Sequence, residues 1–266
     1  MVDSIGDTTG QDLNNVTGQS FIYEAPVQTT TYTLTASNSL GSVVQQVTVT
    51  VTDTSPPQFG TGTTYYVSPT GNDANNGLSP SSPWQTVAKV NGRAFNPGDI
   101  ILFQRGGEWH ESLTVPSDGA AGNPITFADY GSGAKPKFWG SVVLNKASFQ
   151  SLGNGIYSYT IATPVLSALV NHTFFYYNAS NDATTLVNSW SYNGTTLEIN
   201  SPNSDPRTDG KVYTAVVRQD VVFSNFHNHL IFRNLVVDES AQFSGGYAFR
   251  VENSTDVLVD SCEAYR

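Results

Sequence analysis

The feature that most constrains the fold is a 27-residue repeat near the end of the chain. Placing residues 229–238 (HLIFRNLVVD) over residues 256–265 (DVLVDSCEAY) aligns apolar positions with apolar ones and polar positions with polar ones. The aligned pairs are Leu230 with Val257, Phe232 with Val259, Asn234 with Ser261, Leu235 with Cys262 and Val237 with Ala264. Such a period, without a helical segment, is typical of one turn of a β-helix, in which stacked strands bury a continuous apolar column.

The repeat also predicts details of each rung. Residues 247–252 alternate in polarity and form a third strand, and sharp corners fall at Asn234 and Ser261. Arg233 and Asp260 stack one rung apart and are expected to form a surface ion pair. Cys262 lies inward beside Leu235 and is expected to act as a small buried apolar residue rather than as a nucleophile.

The composition excludes several classes of protein. The 266 residues carry a net charge of −10 with no basic run, which argues against nucleic-acid binding. No apolar run approaches the ~18 residues of a membrane span. One cysteine cannot form an intrachain disulfide. The acidic, Thr- and Asn-rich composition favours an extracellular protein, although the chain shows no signal peptide.

The first part of the chain predicts a separate β module. Residues 1–19 are polar without a period and are expected to be coil, whereas residues 31–51 alternate on either side of a turn and predict a hairpin. The piece TYTLTASNSLGSVVQQVTVTV resembles the last two strands of bacterial immunoglobulin-like or PKD-type modules. We therefore assign residues 1–52 to a partial module, expect the chain to begin inside it, and assign residues 53–63 to a linker.

Residues 64–139 combine short apolar strands, Gly/Asn/Asp turns and one short helix. Ser82 as N-cap and Pro83 at the first helical position predict a helix whose apolar stripe begins at Trp84 and which ends at Gly92. Its apolar face is expected to cover the open end of the β-helix, because an uncovered end exposes unpaired strand edges. Asp73 and Asp99 are predicted to be turn residues.

The order YYVSPTGNDANNG, PWQTV, PGDIILFQRGGEWHESL and GAAGNPITFADYG resembles the N-terminal region of pectate lyase-like proteins, especially the family-nine polysaccharide lyases and their relatives. The resemblance implies an all-β fold, namely a right-handed parallel β-helix whose N-terminal cap and first rungs occupy residues 64–266. Relatives in this group often carry an insertion between rungs, and the antiparallel pattern at about 141–218, with the hairpin signal Asn193-Gly194, fits one.

The insertion is rich in aromatic residues, which have two possible roles. They could stack on sugar rings, or they could form the core of the inserted subdomain. They are Phe174, Phe175, Tyr176, Tyr177, Trp190 and Tyr192.

The resemblance also locates the substrate cleft. In pectate lyase-like folds the cleft follows the strand after the long loop, which implies Arg250 and Glu252, with Asp238 and Glu239 opening the loop. The calcium-binding Asp cluster and the basic residue of the family have no match within residues 219–266, so the catalytic set is expected to be absent or to lie beyond Arg266. No metal ligand is assigned, since Glu108, His110 and Glu111 fit a solvated strand face better than a metal site.

The resulting functional hypothesis is a secreted polysaccharide-degrading enzyme of the pectate lyase type. It would act on an acidic plant or microbial polysaccharide by β-elimination, with Ca²⁺ in the full-length protein. One alternative is a non-catalytic β-helix adhesin or carbohydrate-binding surface protein. A second is a β-helix glycoside hydrolase, which would use paired carboxylates and add water.

Overall fold

The computed structural model describes residues 4–7, 12–14, 30–38, 41–49, 60–178, 188–241 and 246–265. The chain forms two compact units, residues 1–58 and 59–266. Strands make up nearly all the regular structure, which confirms the predicted all-β class.

The first unit is a four-stranded antiparallel sheet in the order β2-β1-β3-β4. Its strands are β1 (Ser4–Asp7), β2 (Asp12–Asn14), β3 (Thr30–Asn38) and β4 (Gly41–Val49). The predicted hairpin is β3–β4, in which Asn38 opposes Gly41. The expectation of coil for residues 1–19 is wrong at β1 and β2, because strands of three or four residues are too short to show a period.

The second unit begins with the cap and the first rungs. Its elements are β5 (Thr64–Val67), α1 (Val87–Asn91), β6 (Ile100–Gln104), β7 (Glu108–Trp109), β8 (Leu113–Thr114), β9 (Ile125–Tyr130) and β10 (Lys137–Trp139). β5, β6 and β9 pair in parallel, as the β-helix requires.

The short helix begins later than predicted. Thr86, not Ser82, is the N-cap, and its hydroxyl accepts a hydrogen bond from Lys89 N at 3.0 Å. Trp84 is extended instead of helical, because its backbone N–H donates to Tyr66 O and its carbonyl accepts from Ser68 N. Gly92 ends the helix as expected. Asp73 lies in a turn and Asp99 directly follows one, as predicted. The Asp99 carboxylate accepts a hydrogen bond from the Asn96 N–H across that turn, whereas the Asp73 carboxylate accepts from the more distant N–H groups of Gln85 and Thr86.

The described residues of the range 141–216 form the insertion, whose strands pair antiparallel except for Tyr176–Tyr177 with Ser189–Trp190, which pair in parallel. Its strands are β11 (Ser141–Val143), β12 (Gln150–Gly153), β13 (Ile156–Thr160), β14 (Ser167–Val170), β15 (Thr173–Phe174), β16 (Tyr176–Tyr177), β17 (Ser189–Tyr192), β18 (Thr196–Asn200) and β19 (Tyr213–Val216). They make two sheets, β11-β19-β14-β15 and β12-β13-β18-β17-β16. The hairpin predicted at Asn193-Gly194 joins β17 to β18. A separate core that includes Phe149, Trp190 and Tyr213 holds the insertion together.

The remaining strands are β20 (Asp220–Asn225), β21 (Leu230–Arg233), β22 (Val236–Asp238), β23 (Tyr247–Glu252), β24 (Val257–Asp260) and β25 (Glu263–Ala264). They complete three parallel sheets, β5-β6-β9-β21-β24, β7-β10-β22-β25 and β8-β20-β23. The last two rungs pair 27 residues apart in all three sheets: Val222 with Phe249, Leu230 with Val257, and Val236 with Glu263. The predicted register is therefore confirmed.

The corners repeat with the same period. Asn234 and Ser261 both have positive φ, 57° and 53°, which confirms the predicted corners. Two further pairs behave alike: Phe226 (61°) with Asn253 (49°), and His229 (55°) with Asp256 (54°). The predicted ion pair joins Arg233 Nε to Asp260 Oδ2 at 2.6 Å.

The interior of the rungs is a column of buried side chains that includes several stacked aromatic rings. The rings of Phe127 and Phe232 stack with centroids 5.4 Å apart, and Phe249 of the next rung meets Phe232 edge-on. Cys262 is half-buried against this core as predicted, and burial raises the pKa of its thiol. No helix among the described residues is both long and apolar enough to cross a membrane.

Candidate functional site

A cluster of charged and aromatic side chains lies where the insertion leaves the β-helix. We call it the junction cluster. It consists of Glu108, Lys137, Trp139, His172, Asp238 and Glu239.

The sheet β7-β10-β22 supplies most of the junction cluster. Parallel pairing sets Lys137 beside Glu108 and Trp139 beside Asp238. The intervening Phe138 is fully buried in the rung core, and because side chains alternate along a strand, its neighbours point outward. Strand alternation thus gathers these four side chains on one outer face.

Glu239 and His172 form the central pair. Glu239 has 0% exposure, and its Oε1 lies 2.7 Å from Nδ1 of His172 on the insertion. The other carboxylate oxygen, Oε2, is buried and has no hydrogen-bond partner among the described residues. Because an unpaired buried carboxylate oxygen is costly, this arrangement is one that a purely structural side chain would not favour.

The backbone at this pair is also unusual. Glu239 has φ of 51°, while Asn171 and His172, in the turn between β14 and β15, have φ of 46° and 62°. Positive φ at both Asn171 and His172 fits a two-residue hairpin loop of type I′, whereas at Glu239 it carries the conformational cost of a bulky residue in this region. Gly140 permits the close approach, since a Cβ added there would lie 2.2 Å from the carbonyl oxygen of Glu239.

The geometry defines what His172 can do. An ionised carboxylate only accepts hydrogen bonds, so with Glu239 ionised, Nδ1 of His172 donates and the neutral ring keeps a lone pair on Nε2. The His172 side chain is 57% exposed, whereas Glu239 is inaccessible. His172 is thus presented to solvent as a proton acceptor and Glu239 orients it.

Trp139 organises the rest of the junction cluster. Its Nε1 donates to Glu108 Oε2 at 3.1 Å, and its ring stacks with that of His172 at a centroid distance of 5.2 Å. The Lys137 ammonium lies 4.4 Å from the centroid of the same ring and 3.3 Å from Asp238 Oδ2. An imidazole and a cation are therefore held against one indole.

Arg218 fixes the backbone around the junction cluster. Its guanidinium donates to the carbonyl of Ser141 at 2.9 Å and to that of His110. Burial lowers the pKa of Arg218, and the charge of Glu111 opposes that effect. These bonds tie the first strand of the insertion to the β7 rung.

The four cleft residues expected from the sequence lie in two places. Asp238 and Glu239 belong to the junction cluster. Arg250 and Glu252 lie on β23, where Arg250 donates to Asp220 Oδ2 at 2.9 Å and pairs with Glu252 Oε1 at 2.8 Å. Hydrogen bonds to Asp220 and Glu252 raise the pKa of Arg250.

The described residues offer no calcium site. They contain no group of three His, Cys, Asp or Glu residues arranged to hold a metal ion. Glu108, His110 and Glu111 have separate partners: Trp139 Nε1, the Ser141 carbonyl and the Ala88 N–H. The described residues therefore give no ligand for the calcium that the resemblance implies in the full-length protein, and that expectation stays a prediction.

Sequence reasoning missed Lys137, Trp139 and His172. The sequence contains one indication of this region: the strand pattern of the β-helix stops at Trp139 and Gly140, where the insertion begins. Asn171 and His172 carry no turn signature as clear as Asn-Gly. The pairing of His172 with Glu239, 67 residues apart, is visible only in three dimensions.

The insertion contains a second candidate site, which we call the aromatic pocket. Its volume is about 720 Å³. Its lining consists of Val165, Leu166, Ser167, Phe174, Phe175, Tyr176, Tyr177, Trp190 and Tyr192. Phe175 and Trp190 are core residues with exposures of 7% and 4%, which confirms the core role for these two. Tyr176 and Tyr177 are 70% and 58% exposed, and the stacking of sugars on their rings stays a prediction.

Comparison with known proteins gives partial similarities. No family model matches the chain. Lacto-N-biosidase of Bifidobacterium longum is 42% identical over 81 residues, which amount to 29% of this chain and 5% of that protein. Pectate lyase L of Dickeya dadantii is 35% identical over 85 residues, 32% of this chain and 18% of that protein. The chain thus spans a small part of either relative.

Among solved structures, the complex of XylC with xylose matches with a TM-score of 0.53 and 16% identity. The match covers 67% of this chain and 35% of that one. At that identity the likeness shows a shared fold. Together, the similarities show that this all-β chain is related over part of its length to carbohydrate-active proteins and shares their β-helix type of fold.

Proposed function

We propose that the chain is part of a secreted polysaccharide-processing protein that cleaves a uronate polymer by β-elimination. The observation that carries the proposal is the exposed imidazole of His172, held by buried Glu239 and sharing the indole of Trp139 with the Lys137 ammonium. β-Elimination next to a carboxylate needs a base and a cation, and this pair supplies both.

The roles follow from the chemistry of each group. Nε2 of His172 takes the proton from C5 of the uronate, the electrons of the C5–H bond form the C4–C5 double bond, and the C4–O bond to the leaving sugar breaks. The leaving oxygen takes a proton from solvent. Lys137 has three donors, so it can hold Asp238 and still neutralise the substrate carboxylate. Glu239 is a positioning residue.

The substrate class rests on different support. Two relatives bear names that denote action on carbohydrates, and one of them is a pectate lyase. An acidic polymer approaching a chain of net charge −10 requires local cations. Lys137 is one, and Lys135, which precedes β10 and pairs with Glu263 Oε1 of β25 at 2.5 Å, is a second.

The test is incubation of the purified protein with polygalacturonate, with and without EDTA. Ultraviolet absorbance from the unsaturated uronate product, lost in His172→Asn, supports the proposal. The matched control is His227→Asn, because His227 also pairs with a carboxylate, Asp118, but lies outside the junction cluster. Equal activity in both variants would show that His172 does not take part in the reaction.

The lacto-N-biosidase similarity makes glycoside hydrolysis the second candidate. New reducing ends without ultraviolet absorbance would favour a hydrolase and overturn the elimination. Binding of polymer without any cleavage would instead favour the adhesin or carbohydrate-binding surface protein.

A further inference from the structure

We propose that the aromatic pocket of the insertion is a binding site for uncharged sugar residues, separate from the junction cluster. The proposal concerns binding alone, so it stands or falls independently of the elimination reaction. It starts from the cavity, whose volume of about 720 Å³ lies within the ~300–1,000 Å³ typical of small-molecule sites.

The lining of the pocket selects the ligand's chemistry. None of its described lining residues carries a charge, and aromatic rings dominate it. A uronate placed there would lose hydration of its carboxylate with no cation in the described lining to replace it. A neutral pyranose suits the lining better, because its C–H faces pack on aromatic rings while its hydroxyl groups remain hydrated.

Two tyrosines give the pocket accessible ring surface. Tyr176 and Tyr177 form the two-residue strand β16, which pairs in parallel with Ser189 and Trp190 of β17. Tyr177 also packs against Trp190, with ring centroids 4.8 Å apart at 48°. Trp190 is anchored in the insertion core, so the exposed Tyr177 ring is backed by a fixed group. Pre-ordered aromatic surface of this kind lowers the entropic cost of binding.

Occupation of the pocket can be observed directly. Trp190 lines the pocket at 4% exposure, so a sugar stacked on Tyr177 changes the environment of that indole. Titration would use neutral hexasaccharides of galactose, xylose and mannose, with hexagalacturonate as the charged comparison. Intrinsic fluorescence and calorimetry are the readouts, and Trp190→Phe identifies which part of the fluorescence signal comes from the pocket.

Substitution of the exposed tyrosines tests the site. We expect Tyr177→Ala to weaken binding of a neutral hexasaccharide by about tenfold and Tyr177→Phe to retain it, because the ring supplies the contact. Tyr247→Ala is the matched control, since Tyr247 is 55% exposed on β23 and does not line the pocket. Thermal unfolding and circular dichroism verify that each variant is folded.

Three results would overturn the proposal: no binding of any neutral hexasaccharide, hexagalacturonate binding that Tyr177→Ala weakens more than it weakens neutral binding, or equal loss in Tyr177→Ala and Tyr247→Ala. If Tyr177→Ala does not fold, Tyr176→Ala replaces it, because that side chain is 70% exposed and also lines the pocket. The proposal is supported if a neutral hexasaccharide binds the unchanged protein and the Tyr247→Ala control but binds the tyrosine variant of the pocket much more weakly.

Discussion

Single residues in the junction cluster combine features that stability alone does not require. Glu239 is fully buried, has a left-handed backbone and leaves one oxygen unpaired. His172, its partner, lies in a turn of two consecutive left-handed residues. The buried, unpaired oxygen of Glu239 costs free energy, which makes this contact a candidate functional site.

The first prediction concerns that contact. Glu239→Gln keeps the shape of the side chain but removes the charge that orients the imidazole. We expect the turnover number for polygalacturonate to fall by about 10–100-fold, by analogy with the loss when a group that orients a metal-bound histidine is removed. KM should change less, because Glu239 is inaccessible to substrate.

The matched control is Asp256→Asn, which changes a carboxylate that also pairs with a histidine, His229, but lies outside the junction cluster. It should leave turnover close to that of the unchanged protein. A similar loss in both variants, or a loss in Glu239→Gln that appears only in KM, would refute the positioning role. Glu239→Asp, which keeps the charge, should recover part of the activity.

The sequence pointed to only some of the residues that form the junction cluster. Asp238 and Glu239 were expected from their place before the long loop, and both reach the junction cluster. Lys137 and His172 were not expected, since each acquires its partner across a sheet or across the insertion. Contacts between residues so far apart in the chain leave no local pattern.

Among the elements, the short helix α1 shows how a side chain outside a helix fixes its start. Asp73 Oδ1 accepts from the backbone N–H groups of Gln85 and Thr86, and Oδ2 accepts from the Thr86 hydroxyl at 2.7 Å. Burial opposes ionisation of Asp73, but these hydrogen bonds and the charge of Lys89 outweigh it and lower its pKa.

The second prediction follows from that lowered pKa. A carboxyl group with a depressed folded-state pKa stabilises the protein above its unfolded pKa, here near the ordinary value of 3.8, and the contribution is lost as the pH falls through the lower folded value. We expect Asp73→Asn to lower the free energy of unfolding by about 1 kcal/mol at neutral pH. The difference from the unchanged protein should shrink in acid.

Urea denaturation at several pH values measures this difference. The same variant at low pH is its own control, because the unchanged protein then carries a protonated Asp73 as well. A difference that stays constant from neutral to acidic pH would show that the charge of Asp73 contributes nothing.

Elements were predictable where a pattern was long enough. The β17–β18 hairpin followed from Asn193-Gly194, and β21 through β25 followed from the repeat. The start of α1 was wrong because a local cap at Ser82 competed with parallel pairing of Trp84 to Val67, which only the folded cap makes available. β1 and β2 were too short for any periodicity.

For the whole molecule, stability of the second unit depends on the continuous column inside the rungs. Phe232 is fully buried, stacks on Phe127 of the preceding rung and meets Phe249 of the next. Removal of the Phe232 ring would therefore break contacts that join three successive rungs.

The third prediction tests that column. Phe232→Ala should lower the free energy of unfolding by about 3–5 kcal/mol, because it removes a buried ring and leaves a cavity. Phe226→Ala is the matched control, since Phe226 is 66% exposed at a corner. Denaturant titration compares the two, and comparable losses would show that the column does not dominate stability.

The corners of the rungs have a consequence for how such a molecule can diversify. Phe226 and Asn253, His229 and Asp256, and Asn234 and Ser261 adopt matching backbone angles with unrelated side chains. The bend is specified by conformation, so the chemical group displayed there is free to vary from one rung to the next. A scaffold of this kind can accumulate substitutions on its outside while its stacking stays intact, which agrees with a shared fold at 16% identity.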